Sequence, residues 1–113
     1  MRLGGIQTKT NRMIKGTVLY GHPQDVDAFE KYYGETHIPL VLKTQGVVRS
    51  EYTKFLPNRD SSPAAYYRMA ELYFAGIQEM QQALSSPEGQ AMAADLANFA
   101  TGGATVIFGA VEQ

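Results

Sequence analysis

The sequence predicts an α+β domain in which four strands and two helical regions follow in the order βαββαβ. Three observations predict it: short runs rich in β-branched and aromatic residues, two stretches with apolar residues at helical spacing, and Pro- or Gly-containing connections. The length of 113 residues suits one hydrophobic core. We interpret residues 1–12, which show no periodicity, as a flexible extension and residues 13–113 as a single domain.

The first strand and first helix are predicted from the N-terminal third of the chain. Residues 13–20 (MIKGTVLY) form a short run with β-branched residues, closed by a Gly-His-Pro turn. Residues 25–37 carry aromatic residues at helical spacing. Because proline disfavours helical backbone at the residue before it, Pro39 should push Ile38 out of the helix. We therefore expect the helix to end near His37.

The remaining elements complete the βαββαβ order. Strands are predicted at 47–55 and 65–74, on either side of a polar loop that contains two prolines. Helical spacing over 76–85 continues over 86–100, where a Ser-Pro pair resembles an N-cap followed by proline at the first helical position. A last strand is predicted at 104–111. This order is that of a ferredoxin-like fold with a four-stranded antiparallel sheet.

Both faces of the predicted sheet carry apolar side chains. In 65–74 each of the two alternating sets is mainly apolar or aromatic, with one charged exception each, Arg68 and Glu71. We expect Glu71 to pair with Arg49. Helices can cover only one face of such a sheet, and leaving large apolar side chains in water costs about 1.5–3 kcal/mol each. We therefore predict a homodimer, with a cavity between sheet and helices that holds a small organic substrate.

Composition and charge exclude several classes of function. A formal net charge of −1 offers no broad positive surface to nucleic acid, and the chain lacks the run of about 20 apolar residues that crosses a membrane. Without cysteine, disulfides and Cys-based zinc sites are excluded. We expect a cytoplasmic protein that binds neither nucleic acid nor membrane.

Motifs that bind cofactors or metals are also missing from the sequence. There is no GxGxxG after the first strand, no GxxxxGK phosphate loop and no GxSxG elbow. A metal site would have to be built from His22, His37 and carboxylates, and the two histidines are not at a ligand spacing. We therefore expect neither a bound cofactor nor a metal.

The two histidines are the candidate catalytic residues. His37 follows an amphipathic helix, and an imidazole can accept or donate a proton near neutral pH. Alternatively, His37 only interacts with the negative end of the helix dipole. His22 lies in the turn after the first strand, where a loop residue can line a site or simply be solvated.

Seven tyrosines in so short a chain suggest a ligand with an aromatic or apolar body. A tyrosine ring can stack on such a ligand while its hydroxyl donates to an oxygen atom. We predict that Tyr20, Tyr33, Tyr52 and Tyr67 bind substrate. The alternative for each of them is packing in the core or at an interface.

Five segments resemble the EthD-like proteins, which are named for ethyl tert-butyl ether degradation and belong to the dimeric α/β-barrel group. The segments are LYGHP (19–23), FEKYYGETHIPL (29–40), AELYF (70–74), SSPEGQA (85–91) and NFATGG (98–103). The resemblance implies a homodimer with one small-molecule pocket in each subunit. It also implies an oxidoreductase or accessory protein in the degradation of small apolar or aromatic compounds.

Relatives in the same superfamily include cofactor-free aromatic monooxygenases, lactone isomerases and polyketide decarboxylases. Since a shared fold does not transfer a reaction, two alternatives stay open. One is a decarboxylase or isomerase on a polyketide-like or lactone-like substrate. The other is a non-catalytic ligand-binding dimer.

Overall fold

Four antiparallel strands form a single sheet in the computed structural model, which describes residues 12–112. The strands are β1 (Ile14–Tyr20), β2 (Arg49–Lys54), β3 (Arg68–Phe74) and β4 (Ala104–Ala110), arranged in the order β2-β3-β1-β4. This confirms the predicted ferredoxin-like α+β class and all four predicted strands. The predicted extension, residues 1–12, lies outside the described residues except for Arg12.

Helices cover one face of the sheet. They are α1 (Val26–Tyr32), a π-helical segment (Tyr33–His37), α2 (Ile38–Lys43), α3 (Ile77–Ser85), α4 (Pro87–Ala94) and α5 (Leu96–Phe99). The Ser86 side chain accepts a hydrogen bond from the backbone N–H of Gly89, and Pro87 follows at the first helical position, as predicted.

The first helix does not end at His37, so this prediction was wrong. Ile38 has helical backbone angles (φ −58°, ψ −41°), and α2 continues the helix to Lys43. The π-helical segment accommodates Pro39, because the backbone N–H of Ile38 donates to the Tyr33 carbonyl five residues earlier. His37 therefore lies inside a continuous helical rod and not at a free helix end.

The core lies between the helices and the face of the sheet that carries Ile14, Tyr20, Leu72 and Phe74. It has two parts. An aliphatic part surrounds Phe74, and an aromatic part surrounds Tyr20. The sheet register explains the arrangement, since Ile14 is paired with Phe74 at one end of β1.

The opposite face of the sheet carries both charged and apolar side chains, which corrects the expectation of two apolar faces. Lys15 on β1 forms an ion pair with Glu71 on β3 at 2.9 Å, so Lys15 takes the role predicted for Arg49. The Arg49 guanidinium instead lies 4.1 Å from the ring centroid of Tyr73. The same face carries the apolar Leu19.

Strand β4 is left uncovered by the helices. All seven of its residues are exposed, although Val106 and Phe108 face the helix side of the sheet. Each of these two side chains is 46% exposed. The helices therefore cover the sheet only as far as β1, and the space between helices and sheet is open to solvent over β4.

Two glycines bring the turns after β1 and after α5 into contact. A Cβ on Gly102 would overlap the His22 carbonyl oxygen, and a Cβ on Gly21 would overlap the Gly102 carbonyl oxygen. The backbone N–H of Gly21 also donates to the Gly103 carbonyl at 3.0 Å. Only glycine permits so close an approach of the two backbones.

Candidate active site

A cavity of about 270 Å³ lies between the sheet and the helices. It is lined by sheet residues Gly16, Val18, Tyr20, Tyr52, Ala70, Leu72, Phe74, Val106 and Phe108 and by helix residues His37, Val41, Leu84, Met92, Ala93 and Leu96. All but three of these residues are apolar. The three that carry polar side-chain groups are Tyr20, Tyr52 and His37.

His37 is buried at the cavity wall and paired with a carboxylate. Its side chain comes from the π-helical segment, and its Nδ1 lies 2.9 Å from Oδ2 of Asp95, which follows α4. Only 4% of His37 and 6% of Asp95 are exposed. The contact joins positions 58 residues apart in the chain. The fold therefore holds the imidazole by one nitrogen and leaves Nε2 as the nitrogen available to the cavity.

Asp95 is held in its ionised form by three donors. Burial opposes ionisation, but hydrogen bonds from Tyr32 (2.6 Å), Asn98 (2.9 Å) and His37 hold the pKa of Asp95 below its ordinary value. An ionised carboxylate only accepts hydrogen bonds, so Nδ1 of His37 must carry the proton.

Burial has the opposite effect on the histidine. It lowers the pKa of His37, and the hydrogen bond to Asp95 offsets part of that effect. At neutral pH the pair is therefore a neutral imidazole beside a carboxylate. Its Nε2 carries a lone pair, which is the state of a general base.

Three of the tyrosines predicted to bind substrate lie together beside His37. Tyr20 and Tyr52 line the cavity. The Tyr33 ring stacks on the His37 ring at 5.9 Å between centroids, and it makes edge contacts with Tyr20 and Tyr52. Burial raises the pKa values of Tyr20 and Tyr33, so their hydroxyls stay protonated.

The other two predicted site residues do not line the cavity. Nε2 of His22 is 2.7 Å from the Ala64 carbonyl oxygen in an exposed turn. The Tyr67 hydroxyl donates to Glu30 at 2.6 Å, and burial together with this bond raises the pKa of Tyr67 to about 12. Arg68 donates two hydrogen bonds to the same carboxylate, which lower the pKa of Glu30 to about 2. Tyr67 thus belongs to a separate polar network.

Asp95 is the residue that sequence reasoning missed. It is the only charged residue between positions 89 and 100, in a segment otherwise built from small, apolar and amide residues. A lone carboxylate in such a segment needs a partner if it is buried, so this isolated charge could have identified Asp95 as a candidate site residue. Its partner could not have been identified in the same way, because the contact spans most of the domain.

The described residues contain neither a metal-binding cluster nor a membrane-spanning helix. Among residues 12–112, no three His, Asp or Glu side chains come together in a group that could hold a metal ion. In the same part of the chain, no helix has the length and apolar character needed to cross a membrane.

Comparison with known proteins decides the family. The model of the EthD domain matches residues 21–103, which include His22, His37 and Asp95. The chain belongs to the EthD family. This confirms the resemblance seen in the sequence.

Three similar proteins match nearly the whole chain. An uncharacterized 11.0 kDa protein of Rhodococcus erythropolis, from the thcB-thcC intergenic region, is 44% identical over 96 residues, which are 85% of this chain and 92% of the relative. The crystal structure of an EthD family protein from Bacillus halodurans is 32% identical, with a TM-score of 0.82 over 89% of this chain and 99% of the other. An EthD-like protein from Ralstonia eutropha is 23% identical, with a TM-score of 0.69 over 91% and 96%.

More distant structures share the fold alone. A dimeric protein with a ferredoxin-like fold from Bacteroides fragilis is 15% identical (TM-score 0.62, covering 88% of this chain and 96% of that one). A hydroxynitrile lyase from Passiflora edulis is 13% identical (TM-score 0.69, 91% and 96%). The cofactor-independent oxygenase SnoaB from Streptomyces nogalater is 16% identical (TM-score 0.61, 91% and 95%).

Proposed function

We propose that this EthD-family protein is an enzyme of the oxidoreductase type that acts on a small apolar or aromatic molecule, with His37 as its acid-base residue. The observation that carries the proposal is the buried His37–Asp95 pair, 2.9 Å apart, at the wall of an otherwise apolar cavity. A buried imidazole of lowered pKa in a pocket is typical of a catalytic base.

The proton step follows from the arrangement of the pair. Nε2 of His37 accepts a proton from an acidic O–H or C–H group of the ligand, and the ligand keeps the electron pair. The imidazolium that forms is stabilised by the carboxylate of Asp95 across the Nδ1 hydrogen bond. In the reverse direction the same imidazolium acts as an acid. The apolar wall excludes water and strengthens both interactions.

The anion formed in this way is electron-rich, and dioxygen can oxidise it. For a methylene group next to a phenol or ketone the balance is R₂CH₂ + O₂ → R₂C=O + H₂O, with dioxygen as the oxidant. A fold relative described as a cofactor-independent oxygenase supports this reaction class by analogy. The hydroxynitrile lyase supports the alternative, a lyase or isomerase that uses the same proton step.

We also propose that the protein works as a homodimer. The uncovered face of the sheet carries Leu19 and Met69, and on β4 the side chain of Ile107 is 53% exposed. The Lys15–Glu71 pair is satisfied within one chain, so a second copy can cover it. A fold relative described as dimeric is in keeping with this arrangement. Sedimentation at micromolar concentration should give a dimer, and Ile107→Arg should weaken it; a wild-type monomer would refute the proposal.

The test of the acid-base proposal is isotope exchange into a two-ring enolisable ketone. β-Tetralone has an acidic methylene group, and NMR in D₂O follows deuterium uptake there directly, without need of an oxidant. The wild-type protein should accelerate the uptake, and His37→Gln should reduce the acceleration by at least about 100-fold. Oxygen uptake and mass spectrometry of the products then test the oxidation step.

His22→Gln is the matched control, because the proposal assigns no step to His22. Its Nε2 forms a hydrogen bond with the Ala64 carbonyl oxygen outside the cavity. Deuterium exchange into the ketone at the wild-type rate in His37→Gln would refute the acid-base role of His37. Wild-type protein that binds the ketone without any exchange or oxygen uptake would instead favour a non-catalytic ligand-binding dimer.

A further inference from the structure

We propose that the cavity binds the oxygen atom of a phenol or an enolisable ketone through two tyrosine hydroxyls, those of Tyr20 and Tyr52. This inference names the substrate class of the proposed enzyme and rests on that function for the role of His37. The hydroxyl site itself is a binding site and can be tested without turnover.

The starting observation is a set of buried hydroxyls without partners. Among the described residues, no hydrogen-bond partner is found for the buried hydroxyl oxygens of Tyr20, Tyr33 and Tyr52. Tyr20 is fully buried (0% exposed). A buried hydroxyl normally has a partner, because losing its hydrogen bonds to water without replacement is costly. The Tyr20 and Tyr33 hydroxyls lie near enough to affect each other's pKa, but no acceptor within the described residues satisfies the cluster. We infer that a ligand oxygen in the cavity supplies it.

The hydroxyls that can meet this acceptor belong to the two tyrosines at the cavity wall. Tyr20 and Tyr52 line the cavity, whereas Tyr33 lies behind them and packs edge-on against both rings, at 5.5 and 6.2 Å between centroids. Tyr33 also stacks on His37. The two donors and the base therefore belong to one aromatic cluster at the cavity wall.

The remainder of the wall defines the rest of the ligand. Leu72, Phe74 and Met92 offer only apolar surface and a thioether, and the open side is bordered by Phe108. A volume of about 270 Å³ is just below the usual range of ligand pockets, so the ligand has one or two rings. Its single polar region must then meet the tyrosine hydroxyls and His37.

This placement gives the hydroxyls a part in the proton step. When Nε2 of His37 removes the proton from a bound phenol or enol, the ligand oxygen becomes an oxyanion. Hydroxyl donors aimed at that oxygen stabilise the developing charge. Burial keeps the Tyr20 hydroxyl protonated, so it remains a donor throughout.

The test compares two probes that differ by one hydroxyl group, p-nitrophenol and nitrobenzene. Calorimetric titration of the wild-type protein should show p-nitrophenol binding at least about tenfold more tightly, the worth of one hydrogen bond to a charged group. The double variant Tyr20→Phe/Tyr52→Phe should lower this ratio by about tenfold, leaving only the part that His37 contributes, while it leaves the affinity for nitrobenzene largely intact. Tyr66→Phe, at an exposed position, is the control and should keep the wild-type ratio.

The visible absorbance of p-nitrophenolate provides a second readout. At a pH where the free probe is mostly protonated, the bound probe should be ionised in the wild-type protein and protonated in His37→Gln. Should the double variant not fold, Tyr52→Phe alone should still lower the ratio, because Tyr52 is only partly buried.

Equal binding of the two probes by the wild-type protein, or an unchanged ratio in the tyrosine variants, would overturn the inference and would indicate that cavity water satisfies the hydroxyls. The proposed function fails in a different way: ketone exchange would be missing although the tyrosine-dependent preference for p-nitrophenol is present.

Discussion

Replacing Asp95 by asparagine should reverse the proton arrangement of His37. Both Tyr32 and Asn98 donate to Oδ1, so an asparagine at position 95 keeps its oxygen on that side and turns its NH₂ group toward His37. The amide then donates to Nδ1, and the imidazole proton must move to Nε2. The nitrogen that faces the cavity would become a donor and could no longer accept a proton.

The same substitution should destabilise the fold by a moderate amount. Three hydrogen bonds to a buried carboxylate become bonds to a neutral amide, one of them reversed. A hydrogen bond to a charged group contributes about 1 kcal/mol more than a neutral one, and relief of the buried charge offsets part of the loss. We therefore expect the free energy of unfolding to fall by about 2–3 kcal/mol, which leaves a domain of ordinary stability folded.

Two measurements check this prediction. Nitrogen-15 NMR of the histidine ring at neutral pH should show the Nδ1–H tautomer in the wild-type protein and the Nε2–H tautomer in Asp95→Asn. Urea denaturation measures the stability change, and the exchange assay should lose at least about 100-fold in rate. An Nε2–H tautomer in the wild-type protein, or full exchange activity in the folded variant, would refute the reasoning.

Two further predictions concern stability. Burial lowers the pKa of His37, so the unfolded chain takes up a proton at this residue more readily than the folded protein, and the free energy of unfolding should fall as the pH drops below about 6.5, the pKa of a free histidine. Denaturant titrations at several pH values in this range should show a smaller change of the unfolding free energy with pH in His37→Gln than in the wild-type protein. An equal pH dependence in the two proteins would contradict the assignment. Gly102→Ala should cost at least about 2 kcal/mol because its Cβ would overlap the His22 carbonyl. Gly34→Ala, where a Cβ meets nothing within 4 Å, is the control in the same melting experiment, and equal losses in both variants would contradict the steric argument.

Local patterns sufficed for most of the fold. Alternation of side chains placed the strands, and the Ser86-Pro87 pair placed the start of α4, because both signals act over a few residues. Pro39 was misread because its usual effect applies to an α-helical turn. The wider π-helical turn before Pro39 leaves room for the proline ring within the helix, and no local sequence pattern predicted that turn.

The candidate site was only partly accessible from sequence. His37, Tyr20 and Tyr52 were chosen for their chemistry, and the structure places all three at the cavity, although their roles stay predictions. Asp95 was missed because its importance depends on a contact with a residue 58 positions away. The mixed character of the second sheet face was missed because Lys15 and Glu71 meet only when β1 and β3 pair in register.

The π-helical segment also sets the angular phase of the rod that carries the catalytic candidate. Tyr33, His37 and Val41 are spaced four residues apart, and all three are buried toward the interior. A regular α-helix advances about 100° per residue, so an uninterrupted α-helix would rotate residues at this spacing steadily away from one side. The extra residue in the wide turn compensates for that drift. A plain α-helix through the same residues would turn Val41 about 80° away from Tyr33, whereas deleting Gly34 would remove the extra residue together with the wide turn and leave Val41 facing the interior.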